Sequence, residues 1–201
     1  MKLSMLVALL AVSSVARAQD STKIAITTGV GVIEVPGKLR MVLKPAVTFN
    51  SGLVYRLSEN WFVQGDVSLN SIGYDQMTRE DNSSFLFKDA SSSLFQAAIS
   101  AGYMFAIKNT ALAVSFYAGP GYQRFGEPRI FPDNSTLTAT QNILRKSSLL
   151  VKTGSRISYQ TRSAFLQTIY LEATYFSSPI TIQQYRLQGF SYCIGTKFSL
   201  M

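Results

Sequence analysis

The chain has no histidine and only one cysteine, Cys193, among its 201 residues. The lack of histidine removes the commonest general base and the commonest transition-metal ligand. One cysteine cannot form a disulfide within the chain or supply a cysteine-based zinc site. We therefore predict a protein that is not an enzyme and that holds no cofactor and no metal.

Charge and long apolar runs are also scarce. Charged residues make up 15% of the chain, and after the N-terminal segment no apolar run reaches the about 18 residues that a transmembrane helix needs. The formal net charge is +8, but the basic residues are scattered singly, so we predict no nucleic-acid partner. Aromatic residues are abundant, with ten Tyr and thirteen Phe, which suits a membrane β-barrel.

The first 18 residues have the three parts of a secretory signal peptide. Lys2 is the positive region, residues 6–15 form a short apolar region, and Ala16-Arg17-Ala18 is an A-x-A cleavage site before Gln19. We predict that residues 1–18 are a cleaved signal peptide and that residues 19–201 form one exported domain. The apolar region is too short to span a membrane.

The last stretch of the chain, residues 190–201, alternates between apolar and mostly polar side chains. Phe190, Tyr192, Ile194 and Phe198 share one face of this predicted strand. A strand with an apolar face and a bare edge would aggregate unless another strand paired with it. A closed barrel meets this need because its last strand pairs with its first.

Similar alternation recurs along the chain and predicts about eight strands, the second over residues 41–57. Connections around Ser58, Asn109 and Thr161 are short. Those around Gly37, Asp81, Asp133 and Thr181 are longer, with loops predicted over residues 76–92, 125–142 and 177–188. Short periplasmic turns and long outer loops are typical of outer-membrane barrels. We predict an all-β, eight-stranded antiparallel up-and-down transmembrane β-barrel, with a bulge or loose pairing at Pro120.

Aromatic residues fall near both ends of the predicted strands and predict two interfacial belts that contact outer-membrane lipid. The periplasmic belt contains Tyr55, Trp61, Tyr103, Phe105, Tyr159 and Phe165, and the outer belt contains Tyr122, Tyr175 and Tyr192. Alternation alone leaves a second fold open, an exported soluble carrier of lipocalin type with an apolar interior.

The other face of the strands places a polar cluster in the lumen, made of Asp66, Lys152, Arg156, Glu172 and Lys197. Lys152 is expected opposite Glu172, and Asp66 near Arg156 or Lys197. Because an eight-stranded barrel is narrow, we predict a lumen plugged by polar side chains. The alternative is a narrow, anion-preferring pore. Catalysis by Asp66 with Glu172 would need a raised pKa on one carboxyl group, which the nearby cations oppose.

The closing residues Gly195, Phe198 and Leu200 are similar to a C-terminal assembly signal, a glycine followed by spaced hydrophobic residues. On these residues and the strand pattern, the mature chain resembles the outer membrane protein beta-barrel domain family and small barrels of the OmpA, OmpX and OmpW kind. The resemblance implies insertion by the outer-membrane assembly machinery and a place in the bacterial outer membrane.

Binding residues concentrate on loops held by a rigid scaffold. The predicted outer loops carry Arg79, Lys88, Arg129 and Arg186, which are suited to lipopolysaccharide phosphates or to an extracellular partner. The alternative is that these four side chains are simply exposed to solvent and bind no ligand. The sequence thus predicts a structural or loop-mediated binding role.

Overall fold

The computed structural model describes residues 23–77, 89–133, 135, 138–161 and 167–199. Each strand pairs antiparallel with the next, and the last pairs with the first, so the sheet closes into a barrel. This confirms the predicted fold. The strands are β1 Ile24–Glu34, β2 Ala46–Arg56, β3 Trp61–Tyr74, β4 Ala90–Ala106, β5 Leu112–Asp133, β6 Thr138–Gln160, β7 Thr168–Ile182 and β8 Tyr185–Ser199.

Closure is made by β8 and β1, which pair continuously from Ala25 opposite Ser199 to Glu34 opposite Phe190. The closing strand therefore leaves no free edge along this seam. We call the end of the barrel that holds Ile24 and Ser199 the inner end, and the opposite end the outer end.

Alternation assigns each side chain to the outside or the inside of the barrel, as the sequence predicts. On β6, Leu149 is 73% exposed whereas its neighbour Leu150 is 2% exposed. Ile99 on β4 is 67% exposed, and Ala98 beside it is buried. Successive side chains of a strand point to opposite faces, so the apolar set forms a belt around the outside.

Residues 35–45, which we call the capping segment, fold into the outer mouth of the barrel. They contain a 3-10 helix, Gly37–Met41, and Leu43 bridges to Tyr74. The predicted second strand, residues 41–57, is therefore wrong at its start, because β2 begins at Ala46. The cause is the consecutive apolar pair Val42 and Leu43, which breaks the alternation and is buried in the mouth.

The predicted loop over residues 125–142 is wrong, because β5 and β6 continue through it. Their pairing runs in one register up to Asp133 opposite Thr138. Pairing of β5 with β4 stops earlier, at Gly126 opposite Ser93, so a two-stranded hairpin rises above the barrel. We call it the raised hairpin. Pro128 and Pro132 are tolerated there because a strand edge without a partner needs no ladder N–H.

Pro120 keeps β5 in register with β6, so no bulge forms there. The ladder to β4 is interrupted beside Pro120, between the pairs Ala98–Gly121 and Ala101–Ala118, which confirms the alternative expectation of loose pairing. A register shift lies between Ser177 and Thr181, around Pro179. The predicted loop over residues 177–188 is wrong, because only two residues separate β7 from β8, both with positive φ.

Inside the barrel, aromatic rings lie against glycines of the neighbouring strand. A Cβ on Gly154 would stand 2.3 Å from the Tyr117 ring, and one on Gly195 would stand 2.4 Å from the Tyr170 ring. Each ring and its glycine are direct cross-strand partners, and a glycine leaves the space that the ring occupies. The four pairs are Phe62–Gly102, Tyr117–Gly154, Tyr170–Gly195 and Phe176–Gly189.

Among the residues that the structure describes, no helix is long and apolar enough to cross a membrane.

Candidate functional site

The outer half of the interior is filled by apolar side chains, which we call the outer apolar core. Strands β1 and β3 to β8 contribute to it, and the capping segment adds Val35, Leu39, Val42 and Leu43 from above. The interior is therefore not filled by polar side chains alone. The members of the outer apolar core are Ile33, Val35, Leu39, Val42, Leu43, Ile72, Tyr74, Leu94, Phe125, Leu150, Phe176, Ile180, Ile182 and Leu187.

Below this core lies a buried polar layer that holds two ion pairs. Lys152 Nζ donates to Asp66 Oδ2 at 2.6 Å across the interior. Arg156 Nε donates to Glu172 Oε2 at 2.6 Å, and Arg156 and Glu172 are direct partners on β6 and β7. The expected Lys152–Glu172 pair is wrong, because Lys152 lies opposite Phe176. The expected contact of Asp66 with Arg156 or Lys197 is replaced by Lys152.

Arg156 is the most heavily contacted cation of the polar layer. Its guanidinium lies 4.5 Å from the Tyr170 ring centroid and 5.7 Å from that of Tyr117. Its Nη2 donates to Gln64 Oε1 at 3.3 Å, and a further ion-pair contact joins Nη2 to Glu172. Two aromatic faces and a carboxylate thus replace the water that a buried guanidinium loses.

Lys197 also faces the interior but lies nearer the inner end, apart from the two ion pairs. It lines a cavity of about 30 Å³ together with Arg56 and Arg156. That volume holds about two water molecules. Within the described part of the chain, Lys197 forms no ion pair. The polar cluster predicted from the sequence therefore divides into two pairs and one separate lysine.

A second charged group lies at the outer mouth, around the fully buried Glu127. Tyr74 Oη donates to Glu127 Oε1 at 3.0 Å. Lys146 Nζ lies 2.6 Å and Arg129 Nη2 lies 3.3 Å from Glu127 Oε2. Tyr74 also accepts a hydrogen bond from Gln183 in the β7–β8 turn. This network connects β3, β5, β6 and the turn around the edge of the apolar core.

Lys44 holds the end of the capping segment. Its Nζ donates to Asp89 Oδ1 at 2.7 Å and lies 3.1 Å from Asp75 Oδ2. These hydrogen bonds, that to Asp89 foremost, hold the pKa of Lys44 above its ordinary value. The Lys44 backbone N–H donates to Gly73 O, so both its main chain and its side chain are fixed to the barrel rim.

A family model for the outer membrane protein beta-barrel domain matches residues 4–198. The chain belongs to this family. The membrane-barrel interpretation of the sequence is thereby confirmed, and the exterior apolar belt is the surface that such barrels present to lipid.

Three solved structures of outer-membrane proteins resemble this family member. Neisserial surface protein A matches with a TM-score of 0.60 at 8% identity, covering 90% of this chain and 99% of that one. Ail of Yersinia pestis matches with 0.49 at 15% identity, covering 87% and 97%. The N-terminal β-barrel domain of Pseudomonas aeruginosa OprF matches with 0.47 at 12% identity, covering 89% and 100%. No curated protein matches the chain.

The predicted aromatic belts of this outer-membrane barrel correspond to outward-facing clusters. At the inner end, the Trp61 and Tyr103 ring centroids are 5.1 Å apart, and those of Tyr103 and Phe105 are 4.6 Å apart. Tyr55 and Tyr159 are exposed at the same end, and Tyr122 and Tyr192 are exposed further out. Tyr175 contacts Phe190. Contact of these rings with lipid head groups stays a prediction, and Phe165 lies outside the described residues.

The predicted assembly signal of the family lies on β8. Gly195 faces inward beneath Tyr170, and Phe198 faces outward opposite Ile26. Leu200 lies outside the described residues, as does the predicted signal peptide of residues 1–18. The roles of these segments in export and assembly stay predictions.

The loop cations proposed from the sequence as ligands of phosphate are only partly free to bind. Arg129 contacts Glu127, and Arg186 Nε donates to the Ser178 carbonyl at 3.1 Å. Arg79 and Lys88 lie outside the described residues.

The sequence does not predict the Glu127 network, because it predicts a loop over residues 125–142. The alternation of Gln123, Phe125 and Glu127 continues that of β5 and is the signal that would have placed all three inside the barrel.

Proposed function

We propose that this protein is an outer-membrane barrel that does not conduct solutes, is not an enzyme, and acts through its outer end. The observation that carries the proposal is the outer apolar core. Buried aromatic and aliphatic side chains fill the outer half of the interior, and the capping segment covers them. Below the core, Asp66 and Glu172 are each paired with a cation, which supports a lumen filled by its own side chains.

A conducting pore would need a continuous wet path past Phe125, Leu150 and Phe176. These side chains are 0–2% exposed and offer no hydrogen-bonding groups to a passing ion. An ion that leaves water for an apolar region without partners meets a large free-energy barrier. The narrow, anion-preferring pore is therefore disfavoured, although Lys152 and Arg156 lie in the polar layer beneath.

Catalysis by the interior carboxylates is also disfavoured. Asp66 accepts a hydrogen bond from Lys152, and Glu172 accepts one from Arg156. Each carboxylate is thus held by its own cation, and the two do not form the carboxyl pair that acid–base chemistry uses.

The outer end offers the surface through which a barrel without a pore could act. The raised hairpin exposes Ile143 and Leu144, and the capping segment exposes Lys38 and Arg40. A rigid barrel that holds irregular segments above a membrane is a common platform for binding. The proposal includes export with removal of residues 1–18, which rests on the sequence pattern.

Planar-bilayer recording tests the closed lumen. We expect the purified mature protein to give no steady single-channel steps in concentrated salt. The Lys152→Met variant, which removes one interior cation, is expected to give none either. Steady steps from the wild-type protein whose ion selectivity changes in Lys152→Met would show that ions pass through the polar layer, and the proposal would then be wrong.

A further inference from the structure

Two arginines face outward, toward the membrane side of the barrel, where the apolar belt ends. Arg124 on β5 and Arg145 on β6 are both exposed. Arg124 lies opposite Ser147, and Arg145 lies opposite Gly126. Diagonal neighbours on one face of an antiparallel pair are about 7–8 Å apart, so the two guanidinium groups can reach one ligand.

The depth of these arginines follows from the strands that carry them. The outward apolar residues of β5 run from Leu112 to Tyr122, and those of β6 run from Tyr159 to Leu149. Ten residue steps at about 3.3 Å, on a strand tilted by about 40°, rise about 25 Å, which is the height of the apolar band of such barrels. Arg124 is the next outward residue above Tyr122, so it lies at the boundary with the head groups.

The outward side chains near the two arginines are aromatic or carry hydroxyl groups, and Phe95 on β4 lies opposite Arg124. The nearest carboxylate of β5, Glu127, is buried inside the barrel. Outward serines continue the same level around the barrel, with the Ser71 and Ser91 hydroxyl oxygens 3.1 Å apart. Ser147 Oγ lies 2.8 Å from Tyr122 Oη. Strands β4 and β6 contain no Asp or Glu. Among described residues, neither Arg124 nor Arg145 has an ion-pair or hydrogen-bond partner.

We propose that Arg124 and Arg145 form a binding site for a phosphate group of the glycolipid that makes up the outer leaflet. Two cations at head-group depth, flanked by hydroxyl donors and without a carboxylate, match a phosphate monoester. Guanidinium groups bind phosphate through charge-assisted, bidentate hydrogen bonds. The apolar side chains below, Tyr122 and Leu149, provide the contact surface for the acyl chains of the same lipid.

Binding of purified deep-rough lipopolysaccharide to the detergent-solubilised protein tests this site. We expect the Arg124→Ala/Arg145→Ala variant to bind at least about tenfold more weakly than the wild type, since two charge-assisted contacts are lost. Enzymatically dephosphorylated lipopolysaccharide is expected to bind wild type and variant alike. The Arg124→Lys/Arg145→Lys variant keeps both charges but loses the bidentate geometry, and it is expected to bind with an affinity between those of the wild type and the alanine variant.

The matched control removes two exposed cations from the inner end. Lys23→Ala/Lys108→Ala changes the net charge equally and is expected to leave the affinity unchanged. Unchanged binding in the arginine variant, or an equal loss in the lysine control, would overturn the proposal. Equally tight binding of phosphatidylglycerol would overturn the choice of the glycolipid. Because all four residues are exposed, each variant is expected to fold, which heat-dependent gel mobility checks.

Discussion

Replacing Glu172 with leucine is expected to lower the free energy of unfolding by about 3–5 kcal/mol. The reason is that Arg156 would remain in the interior without its carboxylate. Both side chains of the pair are less than 10% exposed, so water cannot take over the role of Glu172. Urea unfolding in lipid vesicles, followed by the fluorescence of the single tryptophan, Trp61, measures this difference.

The control for this prediction removes both members of the pair. Arg156→Leu/Glu172→Leu leaves no unpaired charge, and replacing a buried ion pair by apolar residues is often neutral. We expect the double variant to recover most of the stability that Glu172→Leu loses. If the single variant costs less than about 1 kcal/mol, or if the double variant is no more stable than the single one, the interior pair is not buried as described.

Replacing Phe125 with alanine is expected to cost about 3–5 kcal/mol of unfolding free energy. Phe125 is 0% exposed and lies within the outer apolar core. Its truncation loses the transfer free energy of the ring and leaves a cavity that the rigid barrel cannot close. The same vesicle unfolding assay measures the cost.

The matched control is Phe116→Ala on the same strand. Phe116 faces outward and is 54% exposed, so lipid chains can fill the space that its ring leaves. We expect Phe116→Ala to lower the free energy of unfolding clearly less than Phe125→Ala does, because it leaves no cavity. Equal costs for the two variants would mean that the outer half of the interior is not closely packed.

Much of the barrel wall could be predicted from alternation. The strands β3, β4 and β8 show a two-residue period whose phase fixes which face is apolar, and the structure keeps that phase throughout. Trp61 and Ile99 are outward and Gln64 and Ser100 inward for this reason. The pattern is reliable because a shift of the strand register by one residue would turn every outward apolar side chain of that strand inward.

The outer end could not be predicted in the same way. Pro128 and Pro132 are residues typical of loops, yet they lie in the raised hairpin, where one strand edge needs no partner. Residues 41–45 are predicted as strand but lie in the capping segment, because Val42 and Leu43 are buried by tertiary packing and not by alternation. Their burial depends on the shape of the mouth, which only the closed barrel defines.

The sequence predicts which charged side chains face the interior, but the pairs that it predicts among them are wrong. Which cation meets which carboxylate depends on register, and the β6–β7 connection sets that register. A five-residue turn over residues 160–164 places Lys152 opposite Glu172. In the structure β6 ends one residue later than this turn requires, at Gln160, and β7 begins three residues later, at Thr168, so the register shifts by four residues. That shift brings Arg156 opposite Glu172 and leaves Lys152 for Asp66 across the interior.

Thiol labelling of cysteines at Leu149, Leu150 and Ile143, in a Cys193→Ser background in lipid vesicles, tests the central claim most directly. Leu150→Cys lies in the dry core and is expected to resist a water-soluble maleimide applied on both sides. Leu149→Cys is expected to react only with a membrane-soluble reagent, and Ile143→Cys on the raised hairpin with both. Labelling of Leu150→Cys as fast as that of Ile143→Cys would mean that water fills the outer lumen, which contradicts the account.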